Sequence, residues 1–501
     1  MFFRTGLIVV FLSLFISAFA VDEVPDYADY ASAVNAAQKF ASALKYEEAI
    51  QAYSKAVNLA ASDAERAKAL IGIGDAYQYI KHTTGAGKSS AGTTTIGDFD
   101  MSIMYYEKAA ELPSLPQDIK IQALFSIADM DYRLLKGDEQ RVALDKILQL
   151  PALPPEVKYK AYLYRSKSYY PFMSPFNVQD SIVSDLQAAT LVSGITDEKK
   201  AEALLLIADN YAKRDESKSR DIYNQVTSLK GATVAQKFDA YDKTSKLQYK
   251  TGKPDEARAT IAKALLLKGL KPDDKVNALQ FSARILIEQN KPEQAASELA
   301  KIADISGLDS AKRVDIFSEN GRLLFSNKLY AASRAEFEKA LKYALKKSYI
   351  YPRDMVYIAR TYEQEKNYDK AREVLNKLFL MAIVSSYEKE DGWLLMGSMY
   401  NDEKHFDKAI ESYNVLDNNP QLSVWKKIQT QAGLARAYYG LQDYTSSKEL
   451  YLKMMAKIDE INKMQVNKMP MSPFEISQFK MYSGELYEEA KKKVEEIAGK
   501  N

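Results

Sequence analysis

Small residues recur through this chain at intervals too regular for an ordinary globule. A strict 38-residue step carries them from Ser245 through Ala283, Gly321, Ala359 and Gly397 to Ala435. Ala37, Gly74, Ala128, Ser166 and Ala208 take the series back toward the amino terminus with looser spacing. An aromatic residue often follows three positions later, as in Phe40, Tyr77, Tyr169, Tyr211, Tyr362, Tyr400 and Tyr438. Three residues is nearly one helical turn, so both side chains share a face. The small residue lets a second helix come close, and the ring covers the seam beside it. A fixed period of this length means stacked copies of one supersecondary unit, and the 501 residues need not divide into separate globular cores.

A second amphipathic segment follows each first one. Its clearest form is Tyr46-Glu-Glu-Ala49-Ile-Gln-Ala-Tyr53-Ser-Lys-Ala56, and it returns at 99–109, 254–264, 292–302, 330–340, 368–378, 406–416 and 444–454. Apolar or small residues at steps of three and four make each of these a helix. Pro254 and Pro292 stand at segment starts, where a missing N–H costs nothing. A basic residue opens most first helices: Arg66, Lys120, Lys158, Lys200, Lys237, Lys275, Arg313, Lys389 and Lys427. Such a side chain is expected on the outer edge, solvated or snorkelling. The pattern predicts an all-α chain whose helices alternate about every 19 residues from Ser245 to Lys457, half of the 38-residue step.

The run Trp393-x-x-Met396-Gly397-x-x-Tyr400, then Ala409-x-x-x-Tyr413, then Pro420, resembles the tetratricopeptide repeat pattern W-x-x-L-G-x-x-Y…A-x-x-x-F…P. Residues 367–378 and 444–454 fit its second half. The likeness covers roughly 30–461, loosely in the first half. Its period is longer than the family's usual ~34 residues. The resemblance implies an all-α superhelical solenoid of about eleven helix pairs. The expected organisation is a signal peptide at 1–20, divergent repeats at 21–232 with a loop insertion at 81–98, regular repeats at 233–460, and a loop with a capping helix at 461–501. An aromatic, Pro-containing connection at 170–177 also interrupts the series.

Residues 1–20 have the form of a cleaved signal peptide: Arg4, an apolar run from Leu7 to Ile16 broken by Ser13, and Ala18-Phe19-Ala20 as the cleavage site. The run is short for a membrane span, which needs about 20 residues. The expected location is therefore secreted or periplasmic, with no membrane span after cleavage. The absence of cysteine excludes disulfides, zinc–thiolate sites and thiol catalysis. A net charge of only +2 argues against a nucleic-acid footprint.

Catalytic signatures fail one by one. Gly87-Lys88-Ser89 looks like the core of a phosphate loop, but His82 stands where the first glycine belongs. Asp402, His405 and Asp407 lie near one another in sequence without metal-ligand spacing. No Gly-x-Ser-x-Gly elbow occurs. The expectation is no enzyme, no cofactor and no metal.

The residue just after each small one changes character along the chain: Gln38, Asp75, Asp129, Lys167, Asp209, Lys246, Arg284, Arg322, Arg360, Ser398, Arg436. One residue is about 100° of helix rotation, so this side chain leaves the seam. The resemblance implies that it faces a concave groove where peptides and their carboxylates bind. Lys246, Arg284, Arg322, Arg360 and Arg436 are the candidate basic stripe, with Tyr249, Phe325 and Tyr439 as flat contacts beside it. The alternative is internal pairing, for instance with Asp239, Asp315 and Asp391 at the starts of the same helices. The expected function is an exported scaffold that binds a protein or an extended acidic peptide. The alternative is a structural subunit of a cell-envelope assembly or export complex.

Overall fold

The computed structural model describes residues 25–80, 98–169, 178–346, 348–382 and 384–499. The signal segment at 1–20, residues 81–97 of the insertion with His82, and the connection at 170–177 lie outside the described residues. The described chain is helical throughout and contains no strand.

Two compact units divide the chain at Thr251 and Gly252. The first holds α1 (Tyr30–Ser42), α2 (Tyr46–Leu59), α3 (Asp63–Tyr77), α4 (Phe99–Ala110), α5 (Gln117–Arg133), α6 (Gly137–Leu148), α7 (Pro155–Lys167), α8 (Val178–Thr190), α9 (Asp197–Tyr211), α10 (Glu216–Ser228) and α11 (Val234–Lys250). The second holds α12 (Pro254–Leu265), α13 (Pro272–Glu288), α14 (Pro292–Ala300), α15 (Ser310–Ser326), α16 (Tyr330–Tyr343), α17 (Ile350–Gln364), α18 (Tyr368–Phe379), α19 (Ser386–Asp402), α20 (Phe406–Asp417), α21 (Val424–Gly440), α22 (Tyr444–Asn462) and α23 (Pro473–Ala498). Short 3₁₀ turns follow α14 and precede α23. In chain order odd-numbered helices take the first-helix place of the repeat and even-numbered ones the second-helix place, with α23 as the terminal cap. From Val234 to Tyr444 successive helix starts keep close to the expected 19-residue step.

Local chemistry sets the helix ends. Ser, Thr or Asp caps many first helices: Ser62, Thr196, Thr233, Asp309 and Ser423 each accept a hydrogen bond from the backbone N–H three residues on. Pro254 and Pro292 occupy the first turns of α12 and α14 as expected. The turn inside a pair passes through a left-handed residue: Gly252, Asn290, Lys328, Lys366, Lys404 and Gln442 recur at 38-residue steps with positive φ.

The eleven recurring small residues are all buried, from Ala37 to Ala435. They admit a ring from the second helix. A Cβ on Gly397 would come within 2.6 Å of the Tyr413 ring, and Gly433 of the next first helix closes on the same ring. Gly74 meets Tyr106 and Gly321 meets Phe337 in the same way. Tyr413, Tyr106 and Phe337 are all buried, and each such ring removes roughly 150–250 Å² from water. Serines deepen the seam: Ser219, Ser333 and Ser447 each donate to the carbonyl of the small residue opposite, Ala208, Gly321 and Ala435. First helices also pack on the first helices of neighbouring pairs, as α3 does on α5 and α17 on α19, so within each unit they share a face.

The basic residues that open the first helices are not all solvated. Arg313 donates to the carbonyls of Ala303, Ile305 and Leu308. Lys237 and Lys427 donate to the carbonyls of Lys230 and Pro420 in the turn before their own helix. These cations tie down the connection between pairs, because the ends of the preceding helix leave carbonyls without partners there.

Candidate functional site: the first-helix face

None of the eleven residues that follow the small ones is buried. Rotation by one position carries each of them out of the seam, as the sequence pattern predicts. What they meet differs between the two units.

In the first unit two of the acids accept from phenols of their own pair. The Tyr106 hydroxyl donates to Asp75 at 2.6 Å, and the Tyr223 hydroxyl donates to Asp209 at 2.5 Å. Burial beside these carboxylates raises both phenols far above their ordinary value. Asp209 also accepts from Lys243, and Asp129 pairs with Arg133 one turn along. Lys246 belongs to this unit, and its ammonium pairs with Asp242 at 2.6 Å on the same helix. Tyr249 stands in the last turn of α11.

In the second unit cations reach forward, to the next first helix or to the cap α23. Arg284 on α13 bonds Glu319 on α15 at 3.2 Å, and Arg360 on α17 bonds Asp391 on α19 at 3.1 Å. Arg436 on α21 grips Glu489 on α23 with two nitrogens, at 2.6 and 2.5 Å. Arg322 alone of these has a buried nitrogen, Nη1, that meets no hydrogen-bond acceptor. Of the flat contacts, Phe325 packs edge-on against Tyr330 and Tyr357. Tyr439 donates to Glu496 and lies beneath Lys493, 4.2 Å from the ring centre. The carboxylates foreseen as internal partners are only partly the ones used: Asp391 pairs with Arg360, whereas Asp239 pairs with Lys243 and not with Lys246.

The face also holds groups that spacing did not reveal. Lys426 is buried on α21, held by Glu390 and Asp391 at 3.0 Å each and by the Tyr387 carbonyl. Its ammonium sits 3.5 Å from the Tyr387 ring centre. A buried cation with two carboxylates and a ring face is fully compensated. Burial pushes the Tyr387 phenol up to about 12. Asp354 on α17 is also buried; it accepts from Ser318 on α15, and burial raises its carboxyl above the usual range. A cavity of about 280 Å³ opens beside Lys426, between Arg360, Tyr387, Trp425 and Phe474. A second of the same size lies beside Arg436 and Glu489. Position in the repeat could have flagged Lys426, which is the third residue of its helix and follows Trp425. Its burial depends on Tyr387 from the previous first helix.

Among the described residues no three His, Cys, Asp or Glu side chains converge to hold a metal ion. No described helix is long and apolar enough to cross a membrane. His405 lies in the turn before α20, its ring edge-on to Tyr400.

The fold and this face define an α-α repeat protein built for contact along stacked helices. A sequence model of the tetratricopeptide repeat matches residues 358–382, the end of α17 and α18. That match covers this part of the chain alone, within described residues that are all α-helical and repeat the same succession of first and second helices in each unit. No curated protein matches it. Among solved structures it is similar to a tetratricopeptide repeat protein from Parabacteroides merdae, at 14% identity over 55% of this chain and 93% of that one, TM-score 0.31. It is similar to the carboxyl-terminal part of a TPR repeat-containing protein from Cytophaga hutchinsonii, at 12% identity over 53% and 98%, TM-score 0.35. It is also similar to yeast Tom70, at 14% identity over 94% and 91%, TM-score 0.27.

Proposed function

We propose that this chain is an exported, non-catalytic scaffold that holds an extended segment of a protein partner against its first-helix face. Acidic side chains of that segment are received in the second unit around Arg322. The observation that carries the reading is the split between the two periodic positions. Every small residue is buried, and every residue after it is left outside the seam. A scaffold needs such a row of addressable side chains, one per repeat.

Arg322 supports the acidic preference because its buried Nη1 lacks an acceptor. Its neighbours in the repeat, Arg284 and Arg360, each commit one nitrogen to an internal carboxylate. A guanidinium has five donors, so each retains several for a ligand. Export is supported by the sequence pattern of residues 1–20 alone.

Immobilised peptides of alternating Asp and Gly-Ser, and the same peptides with Lys for Asp, test the reading on the full mature chain. The acidic series is expected to retain the protein. Arg322→Ala with Arg360→Ala is expected to weaken retention about tenfold, the loss being larger at low salt where charge is least screened. Equal retention by the parent and the double variant would return these cations to internal pairing.

A further inference from the structure

The second helices share one nearly invariant position, typically their fourth residue, from which Ser219, Ser333 and Ser447 bond a carbonyl of the first helix. Nine of them place Ala or Ser there: Ala49, Ser102, Ser219, Ala257, Ala295, Ser333, Ala371, Ala409 and Ser447. All nine are buried. In α8 the matching residue, four before the buried Leu186, is Ile182, which has no polar group to satisfy. In α6 it is Gln140, a long amide only 2% exposed whose Oε1 has no hydrogen-bond partner. Leaving a buried amide oxygen unpaired costs on the order of 1–3 kcal/mol, and Ala or Ser would avoid that cost. The aromatic that many second helices carry four residues on is also missing, replaced by Leu144.

Gln140 does not stand in a closed seam. It lines a cavity of about 160 Å³ with Asp129 and Tyr132 of α5 and Tyr164 and Lys167 of α7. A cavity of about 150 Å³ takes one benzene-sized group. Asp129 and Lys167 are the residues after the small ones in successive pairs, so the cavity opens on the first-helix face. Tyr132 is exposed, and Lys167 stands 5.6 Å from the Tyr164 ring centre.

We propose that this cavity is a pocket for one carboxamide side chain, Asn or Gln, of the extended segment that the first-helix face receives. The proposal rests on the reading of that face as a peptide surface. The chemistry selects the occupant. The cavity carries one carboxylate and one ammonium, so an anionic guest meets Asp129 and a cationic guest meets Lys167. An apolar guest leaves the Gln140 amide oxygen unpaired. A hydroxyl satisfies one end of that amide only. A carboxamide offers a donor and an acceptor side by side, and a half-turn about the last torsion of Gln140 presents either end to it. The Tyr132 and Tyr164 rings supply flat walls for a planar group. Asp129 and Lys167 remain at the rim for the backbone N–H and C=O of the bound segment.

The test is an array of Gly-Ser-Gly-X-Gly-Ser-Gly peptides, with X varied over all residue types, probed with the full mature chain and with Gln140→Ala and Gln140→Leu. Peptides with X as Gln or Asn should be retained about fivefold better than Leu, Glu or Lys, the worth of one net hydrogen bond. Both variants should lose that preference. Gln140→Ala should melt no lower than the parent, because nine other second helices carry Ala or Ser at this position. A preference unchanged in the variants, or equal retention for every X, overturns the pocket and leaves the scaffold reading standing. Retention of no peptide at all overturns both. A variant that melts well below the parent with its preference intact makes Gln140 a packing residue and overturns the pocket as well.

Discussion

The two units hold their polar side chains in different ways. In the first, two acids of the first-helix face accept from phenols of their own pair, Asp75 from Tyr106 and Asp209 from Tyr223. In the second, cations bond forward, Arg284 and Arg360 to carboxylates of the next first helix and Arg436 to Glu489 of the cap α23. A second forward ladder runs along the other helices there. Arg334 reaches Glu365 and stacks on Tyr362; one repeat later Arg372 reaches Glu403 and stacks on Tyr400. A strict repeat step brings equivalent residues into equivalent relations, so one successful contact can be copied. The first unit, with uneven steps, adds phenol–carboxylate bonds inside its pairs to bonds between them, such as Lys243 with Asp209 and Tyr159 with Glu202, and carries the two exceptions at the close-packed position, Gln140 and Ile182. Regularity favours coupling between repeats, and irregularity leaves room for a pocket.

Three measurements probe this contrast. The largest effect is expected from Gly397→Leu, which would drive a side chain into the Tyr413 ring between two first helices. Overpacking of this kind costs about 3 kcal/mol. Amide exchange should accelerate in α19 to α22 of the second unit. Unchanged thermal unfolding would mean that the seam yields.

The next effect separates pairing within a repeat from pairing between repeats. Tyr223→Phe removes a phenol donor to Asp209 and should cost about 1.5 kcal/mol. Arg360→Ala breaks a forward ion pair whose guanidinium is 38% exposed, so solvent limits its cost to below about 1 kcal/mol. Salt titration of chemical unfolding should shrink the Arg360 effect and leave most of the Tyr223 effect. Equal salt dependence would erase the distinction between the units.

The smallest effect tests a device that both units share. Leu135 in the first and Lys404 in the second hold left-handed turns, φ +58° and +62°, that favour glycine. Leu135→Gly and Lys404→Gly should each raise stability by about 0.5–1 kcal/mol. A gain in one unit alone would show that the other turn is held by contacts beyond its own backbone.

The helix pairs, their number, the buried small residues and the side chains that leave the seam were legible in the sequence. The physical reason is that a repeat specifies itself through contacts between neighbours in the chain. Steps of three, of four and of one full repeat therefore record what touches what. The terminal helix was legible for the same reason, from its polar, lysine- and glutamate-rich end. The partners of the cations were not. Whether Arg360 meets its own helix or Asp391 of the next depends on how far successive first helices are rotated and offset, and no local pattern encodes that. The same holds for Lys426, whose burial is imposed by Tyr387, Glu390 and Asp391 of the preceding first helix. Gln140 stands between the two cases. Its departure from Ala or Ser at the close-packed position is written in the sequence. Only tertiary packing decided that its amide oxygen would be buried without a partner, beside a cavity that two neighbouring first helices leave open.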